Sequence, residues 1–217
     1  MARAAWQTAV KVTGAAVPVT GEATTFLTGK RYQVTNAARR IIEPTAAITV
    51  KDNGVSVAAA NILAVEHLFG VVEFVGGYTV TGPVTVDFSY LPTYQVAECT
   101  SGSFEMSREL LDSSVFESQW RKKTPGLVDF SGSLKSLQVQ TVDIDTVTGG
   151  TQSVDGWLKA GAHRVLDVLF ASGERLRAWV LFSSHNITNE VDGLVTADVA
   201  FDGSSPGGGA AVAAIGA

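Results

Sequence analysis

The side chains that could do chemistry in this sequence are dispersed, and no spacing among them assembles a reaction centre. His67, His163 and His185 stand far apart, and none belongs to a His-Glu-x-x-His pattern or a Cys/His pair. Cys99 is the sole cysteine, so an intrachain disulfide is impossible and the residue reads as a small buried hydrophobe. Asp143-Ile144-Asp145 opens like a calcium loop but lacks the later Gly and Glu, which leaves two carboxylates on a solvated face. No Gly-x-Ser-x-Gly elbow presents a nucleophile, and no glycine-rich loop is placed to cradle phosphate. No cofactor or metal is implied, and an enzyme is the least favoured class.

The basic clusters are equally plain. Arg121-Lys122-Lys123 after Trp120 is too short, and too poor in interleaved aromatics, for a nucleic-acid surface. Arg39-Arg40 follows a short helical turn, where cations complement the dipole. The formal charge of the 217 residues is −5, which argues against phosphate neutralisation across the surface. No apolar window is long enough to span a bilayer, and no secretory leader is expected at the N-terminus, which turns polar at once. Folding in a reducing cytoplasm is the expectation, and Asn186-Ile187-Thr188 then fits the glycosylation pattern by accident.

What the sequence does build is sheet. Apolar residues make up 46%, much of it Ala and Val, and the 22 glycines suit turns and close backbone contacts. Val10 and Val12 begin a weak strand. The Gly/Thr-rich stretch 14–29 reads as an extended arm or long loop. Tyr32-Gln33-Val34 is a short strand, and Thr35 or Asn36 caps a helical turn over 37–41 that Pro44 closes. Ile48 and Val50, then Asn53-Gly54, then Val55 and Val57, make a hairpin with a primed turn. Residues 61–67 fit helix or strand, and 71–75 is a strand.

The cleanest alternation runs over 78–90. Tyr78, Val80, Val84, Val86, Phe88 and Tyr90 share one face; Thr79, Thr81, Thr85, Asp87 and Ser89 share the other. This predicts a half-buried antiparallel strand pair turning at Gly82-Pro83. Residues 107–126 fit a short irregular helix or ordered loop. Leu137, Val139, Val142 and Ile144 resume a strand with a bulge near Gln140. A helix over 155–162, capped by Asp155, and strands over 165–170, 176–182 and 191–201 complete the pattern. In the second of these strands Leu176, Ala178, Val180 and Phe182 alternate with Arg175, Arg177 and Trp179. The fold class is mainly β, a sandwich or barrel-like domain over 1–202 with one or two short helices. A flexible Gly/Ala-rich tail over 203–217 follows.

Four segments, taken in order, resemble the siphophage tail tube proteins, the major tail proteins of long non-contractile phage tails. They are Tyr32-Gln33-Val34-Thr35-Asn36-Ala37-Ala38-Arg39-Arg40 with Pro44, and Phe69-Gly70-Val71-Val72-Glu73-Phe74 before the strand ending Tyr90-Leu91-Pro92. The third is Leu111-Asp112-Ser113-Ser114-Val115-Phe116 with Pro125-Gly126-Leu127-Val128-Asp129-Phe130-Ser131-Gly132-Ser133. The last runs from Ile187-Thr188 through Val191-Asp192-Gly193-Leu194-Val195 to Phe201-Asp202-Gly203. The resemblance spans about residues 8–204 and leaves the Gly/Ala tail outside it.

It implies a structural subunit with no enzymatic activity, forming hexameric rings that stack into a virion tube for DNA delivery. The partners it implies are further copies of the chain, initiator and terminator proteins at the tail ends, a tape measure protein, and passing DNA bound without sequence specificity. The 14–29 arm would bridge rings, and sheet edges would be completed by neighbouring subunits. Six chains at −5 make −30 per ring, and acids facing the lumen would repel DNA. Glu73, Asp87 and Asp198, all on strands, are the candidate lumen-facing acids. Two other readings stand beside this one: the inner tube of a contractile or secretion apparatus, and a carbohydrate- or host-binding sandwich on a virion surface. The second would use Trp157 and Trp179 as an aromatic platform.

Overall fold

A computed structural model of the chain describes residues 8–99, 101–112, 123–139, 161, 163–169, 175–189, 195–204, 206 and 212–216. The first eight strands are β1 (Thr8–Thr13), β2 (Val17–Thr28), β3 (Arg31–Val34), β4 (Thr49–Asp52), β5 (Val55–Ser56), β6 (Ile62–Glu66), β7 (Val71–Phe74) and β8 (Val84–Tyr90). The others are β9 (Thr93–Cys99), β10 (Ser101–Asp112), β11 (Lys123–Val139), β12 (Arg164–Leu169), β13 (Arg175–Asn189), β14 (Val195–Gly203) and β15 (Val212–Gly216). The protein is mainly β, as the alternation predicts. Its contacts separate two compact units: Lys11–Gln95 with Pro206–Gly209, and Met1–Val10, Val96–Ser205 and Ala210–Ala217. Below they are the N-terminal and C-terminal units.

The N-terminal unit is a seven-stranded antiparallel sheet in the order β5-β4-β8-β2-β3-β7-β6. Its core gathers Val34, Ile42, Val50, Val72, Phe74, Val84, Val86 and Phe88. β7 supplies Val72 and Phe74, and β8 supplies Val84, Val86 and Phe88, at alternate positions, so one face of each of these strands is apolar, and Val50 joins them from β4. Asn53, at φ 50, and Gly54, at φ 79, form the primed turn between β4 and β5. The Asn36 side chain accepts the Ala38 N–H at 3.1 Å and caps the 3-10 turn Ala37–Arg39.

Two expectations for this unit change. The 14–29 arm is mostly strand: β2 lies in the middle of the sheet, pairing first with β8 and then with β3. Register shifts between Val19 and Glu22 and between Phe26 and Thr28 break its two-residue period. The sequence therefore lacks the alternation that marks a strand. The pair expected over 78–90 is a single strand beginning at Val84. The Thr81 and Gly82 N–H groups, which a ladder would need, are taken by the Asp52 carboxylate at 2.9 and 2.8 Å. Pro83 has no N–H to give.

The C-terminal unit follows the order β10-β11-β14-β13-β12-β1-β9, with β15 added to β13 and a further β11–β9 pairing that curls the sheet. Phe130, Leu134, Val165, Val168, Val180, Val199 and Phe201 are among its buried residues. Phe104, Phe130 and Phe201 group around Gly132, with ring centroids 6.0–6.5 Å apart. A Cβ on Gly132 would lie 2.6 Å from both Phe201 Cζ and the Ser103 carbonyl oxygen, so only glycine fits.

Here too the structure corrects the reading. The irregular helix or loop over 107–126 is strand through Asp112 and again from Lys123, with 113–122 outside the described residues. A register shift between Arg108 and Leu110 displaces the leucines from the alternation, while the hairpin ladder continues. The tail expected to be flexible over 203–217 contains β15, which covers the stretch of β13 beyond the reach of β14. Arg177 and Trp179 are buried, so both faces of β13 are covered there. The expected helix over 155–162, the bulge near Gln140 and the Asp143/Asp145 pair lie outside the described residues, save Gly161, which is in a turn.

Gly70 tests the packing argument. At φ 63 its Cβ would stand 2.8 Å from the Arg40 carbonyl oxygen, whereas Gly54 has open space around it. Gly54→Ala should cost about 1 kcal/mol for left-handed backbone alone. Gly70→Ala should add roughly 1–3 kcal/mol of overpacking. Urea denaturation of both variants reads the difference; equal losses would contradict it.

Candidate functional site

Cross-strand partners point to the same side of a sheet, so register shows which side chains share a face. On the N-terminal unit, Lys51 and Asp87 lie on the same face as Thr85, Thr25, Gln33, Arg31 and Glu73. This is the polar face, opposite the valine core. Two of the acids picked from the sequence stand here, and both are paired. Asp87 Oδ2 is 2.5 Å from Lys51 Nζ, and Asp87 Oδ1 accepts the Gly21 N–H at 2.7 Å. The hydrogen bond from Lys51, then that from Gly21, holds the Asp87 carboxyl below its usual range against the opposing effect of burial. Glu73 faces Arg31 across β7–β3, with 3.8 Å between Oε2 and Nε, and Arg31 also pairs with Glu66. Cations therefore offset both acids.

Asp198 belongs to the other unit. It is exposed on β14, two and four residues from Ala200 and Asp202 on the same side. Register extends this face across three strands. Glu105, Ser131 and Asp202 form one row; Ser103, Ser133 and Ala200 form the next; Ser107 opposes Asp129. Ser103 and Ser133 share a hydrogen bond of 2.9 Å between hydroxyls. Among the described residues Glu105, Asp129 and Asp202 form no ion pair, and Lys135, opposite Ser101, brings a cation to the next row. Beneath it, on the opposite side, lie the three phenylalanines around Gly132.

This surface escaped the sequence reading because 107–126 was expected to be helix or loop. Its signal is nevertheless present: Ser103, Glu105 and Ser107, and Asp129, Ser131 and Ser133, recur every second residue around an apolar set. The face can present negative potential and hydroxyls over an extended area. Among the described residues no group of three or more His, Cys, Asp or Glu could hold a metal ion. His163 Nε2 lies 3.0 Å from Ser204 Oγ, and His67 is half-buried, with burial as the main cause of its lowered pKa. The side chains of His185 and Cys99 lie outside the described residues, as do Trp157, Arg121 and Lys122. Arg39 pairs with Glu22 at 2.5 Å and sits over the Tyr90 ring, so that basic pair is structural. Trp179 is buried and cannot serve as an exposed platform.

Asp52, unremarked in the sequence, anchors the irregular segment before β8. It is 4% exposed and accepts hydrogen bonds from the Thr81 amide and hydroxyl, the Gly82 amide and the Tyr78 hydroxyl. In the other unit Asp167, 1% exposed, receives Arg175 Nε at 2.5 Å and Arg177 at 3.1 Å.

No family model and no curated protein matches the chain. Among the solved structures that resemble it in part are the following two. One is the tail of an empty gene transfer agent particle with C6 symmetry, at 15% identity and TM-score 0.44, covering 58% of this chain and 87% of that one. The other is the virion of a native gene transfer agent particle, at 16% identity and TM-score 0.44, covering 56% and 89% respectively.

Asp52 yields a pH prediction. Burial raises its pKa, but the hydrogen bonds from Thr81, Gly82 and Tyr78 outweigh burial and leave it below the ordinary 3.8. A carboxyl depressed on folding contributes stability above its unfolded pKa and loses it as pH falls through the folded value. Asp52→Asn, which sets donors against donors, should cost about 1–3 kcal/mol at neutral pH. Urea midpoints should show the gap to the unmodified chain narrowing below pH 3.8. A gap constant with pH would contradict the assignment.

Proposed function

We propose that this chain is a non-enzymatic structural subunit of a phage-type tail tube, self-assembling into hexameric rings that stack into a conduit for viral DNA. The observation that carries the reading is β10, a twelve-residue strand at the end of its sheet order that contains no proline. Natural monomers shield or shorten such edges, whereas assemblies close them with a neighbour. Residues 105–109 are all exposed, including Met106 at 62%. Such a strand suits a subunit that completes its sheet in a ring.

The acidic, hydroxyl-rich face supplies the conduit's lining in this reading. Glu105, Asp129, Asp198 and Asp202 repel phosphate, and a passing duplex does not stick. Glu73 and Asp87 are weaker candidates for that role, since Arg31 and Lys51 offset them. The Ring-bridging role does not fall to residues 17–28, because they form a central strand. Other tail proteins would cap the two ends, a tape measure protein would occupy the lumen during assembly, and the mature location is the virion. The glycan-binding alternative loses Trp179 to the core.

Negative-stain electron microscopy of the purified chain at rising concentration should show six-fold rings or hollow tubes. Glu105→Lys with Asp202→Lys should preserve them while creating DNA binding that fades with salt. Persistent monomers, even with a tail-initiator complex, would overturn the tube. Tubes whose DNA binding ignores both substitutions would overturn the lining.

A further inference from the structure

We infer that Asn53 is a site of spontaneous deamidation at the exposed β4–β5 turn. It is the one asparagine followed by glycine; Asn36, Asn61, Asn186 and Asn189 precede Ala, Ile, Ile and Glu. A glycine has no Cβ to shield its own amide nitrogen, and a Cβ at Gly54 would meet nothing within 4 Å. Both turn residues are exposed, and the Gly54 amide makes no hydrogen bond among the described residues. Asn53 is held on one side, where its N–H donates to the Pro83 carbonyl oxygen at 3.1 Å, but the β5 side of the turn is lightly held. β5 has two residues, ends the sheet order, and carries Val55 at 71% exposure. Brief local opening at such an edge costs little and frees Asn53 to reach the reactive geometry.

The reaction needs only water and base. The Gly54 nitrogen, once deprotonated, attacks Asn53 Cγ; the N–Cγ bond forms, the Cγ–Nδ2 bond breaks and ammonia departs with the proton. Water then opens the cyclic imide at either carbonyl, giving an aspartyl or an isoaspartyl linkage. One water is consumed and one ammonia released. The structure gives the change a consequence. It places a new carboxylate next to Asp52, whose own carboxylate holds Thr81 and Gly82. The isoaspartyl form also adds a backbone carbon to a two-residue turn, which the Lys51–Ser56 and Asp52–Val55 register cannot absorb.

The test is incubation of the folded full-length chain in mildly alkaline buffer, with peptide mass spectrometry and isoaspartate detection. Conversion at Asn53 should precede that at the other four asparagines. Gly54→Ala, with its fold checked by circular dichroism, should slow it about tenfold, a barrier about 1.4 kcal/mol higher. An intact Asn53 in the folded chain, alongside conversion in the chain unfolded in urea, would overturn the inference. Equal rates at all five asparagines would overturn it as well.

Discussion

The parity of the β10–β11–β14 sheet is the constraint on which the C-terminal unit depends. Side chains alternate across a sheet, so a slip of one residue would turn the phenylalanines outward and the carboxylates inward. Gly132 pins that parity. Phe201 and the Ser103 carbonyl oxygen occupy the space a Cβ would need, so β11 can place no other residue at that point. With Gly132 fixed, Phe104, Phe130 and Phe201 close over it, and Glu105, Ser131 and Asp202 are committed to the open face.

The N-terminal unit meets a different problem. Its sheet must change direction between β7 and β8, and a continuous ladder would carry the chain straight on. A buried carboxylate resolves this by taking two amide donors out of the ladder. Asp52 thus does for residues 78–83 what a cap does for a helix end. Its charge stays buried because four donors satisfy it. Asp167 meets the same requirement with two arginines, one of them buried. In both units the buried acids are structural, and Glu105, Asp129 and Asp202 on the β10–β11–β14 face are exposed carboxylates that form no ion pair among the described residues.

The legible parts of the fold were those with local signals. Asn53-Gly54 marks a primed turn, Asn36 marks a cap, and Val84, Val86 and Phe88 mark a half-buried strand. β2 was illegible because two bulges interrupt its period and because little of it is deeply buried. β10 was illegible because its face is decided by its pairing with the distant β11, and the bulge at Arg108 hides the rest. Asp198 lies on a strand, as expected, with Asp202 four residues along it, but Glu105 and Asp129 become its neighbours only through pairing between distant segments. Asp87 and Glu73 look identical to Asp198 in sequence; Lys51 and Arg31, which offset them, are brought there by the same long-range pairing.

The central claim, that the β10 edge is completed by a neighbouring copy, has a direct measurement. Hydrogen exchange followed at the β10 amides, in dilute chain and in concentrated or assembled chain, separates a free edge from a paired one. The account predicts fast exchange at the outward amides of β10 when dilute and strong protection on assembly, with the core amides of β8 unchanged. Outward amides already protected in the dilute monomer, or still unprotected in the assembled state, would contradict it.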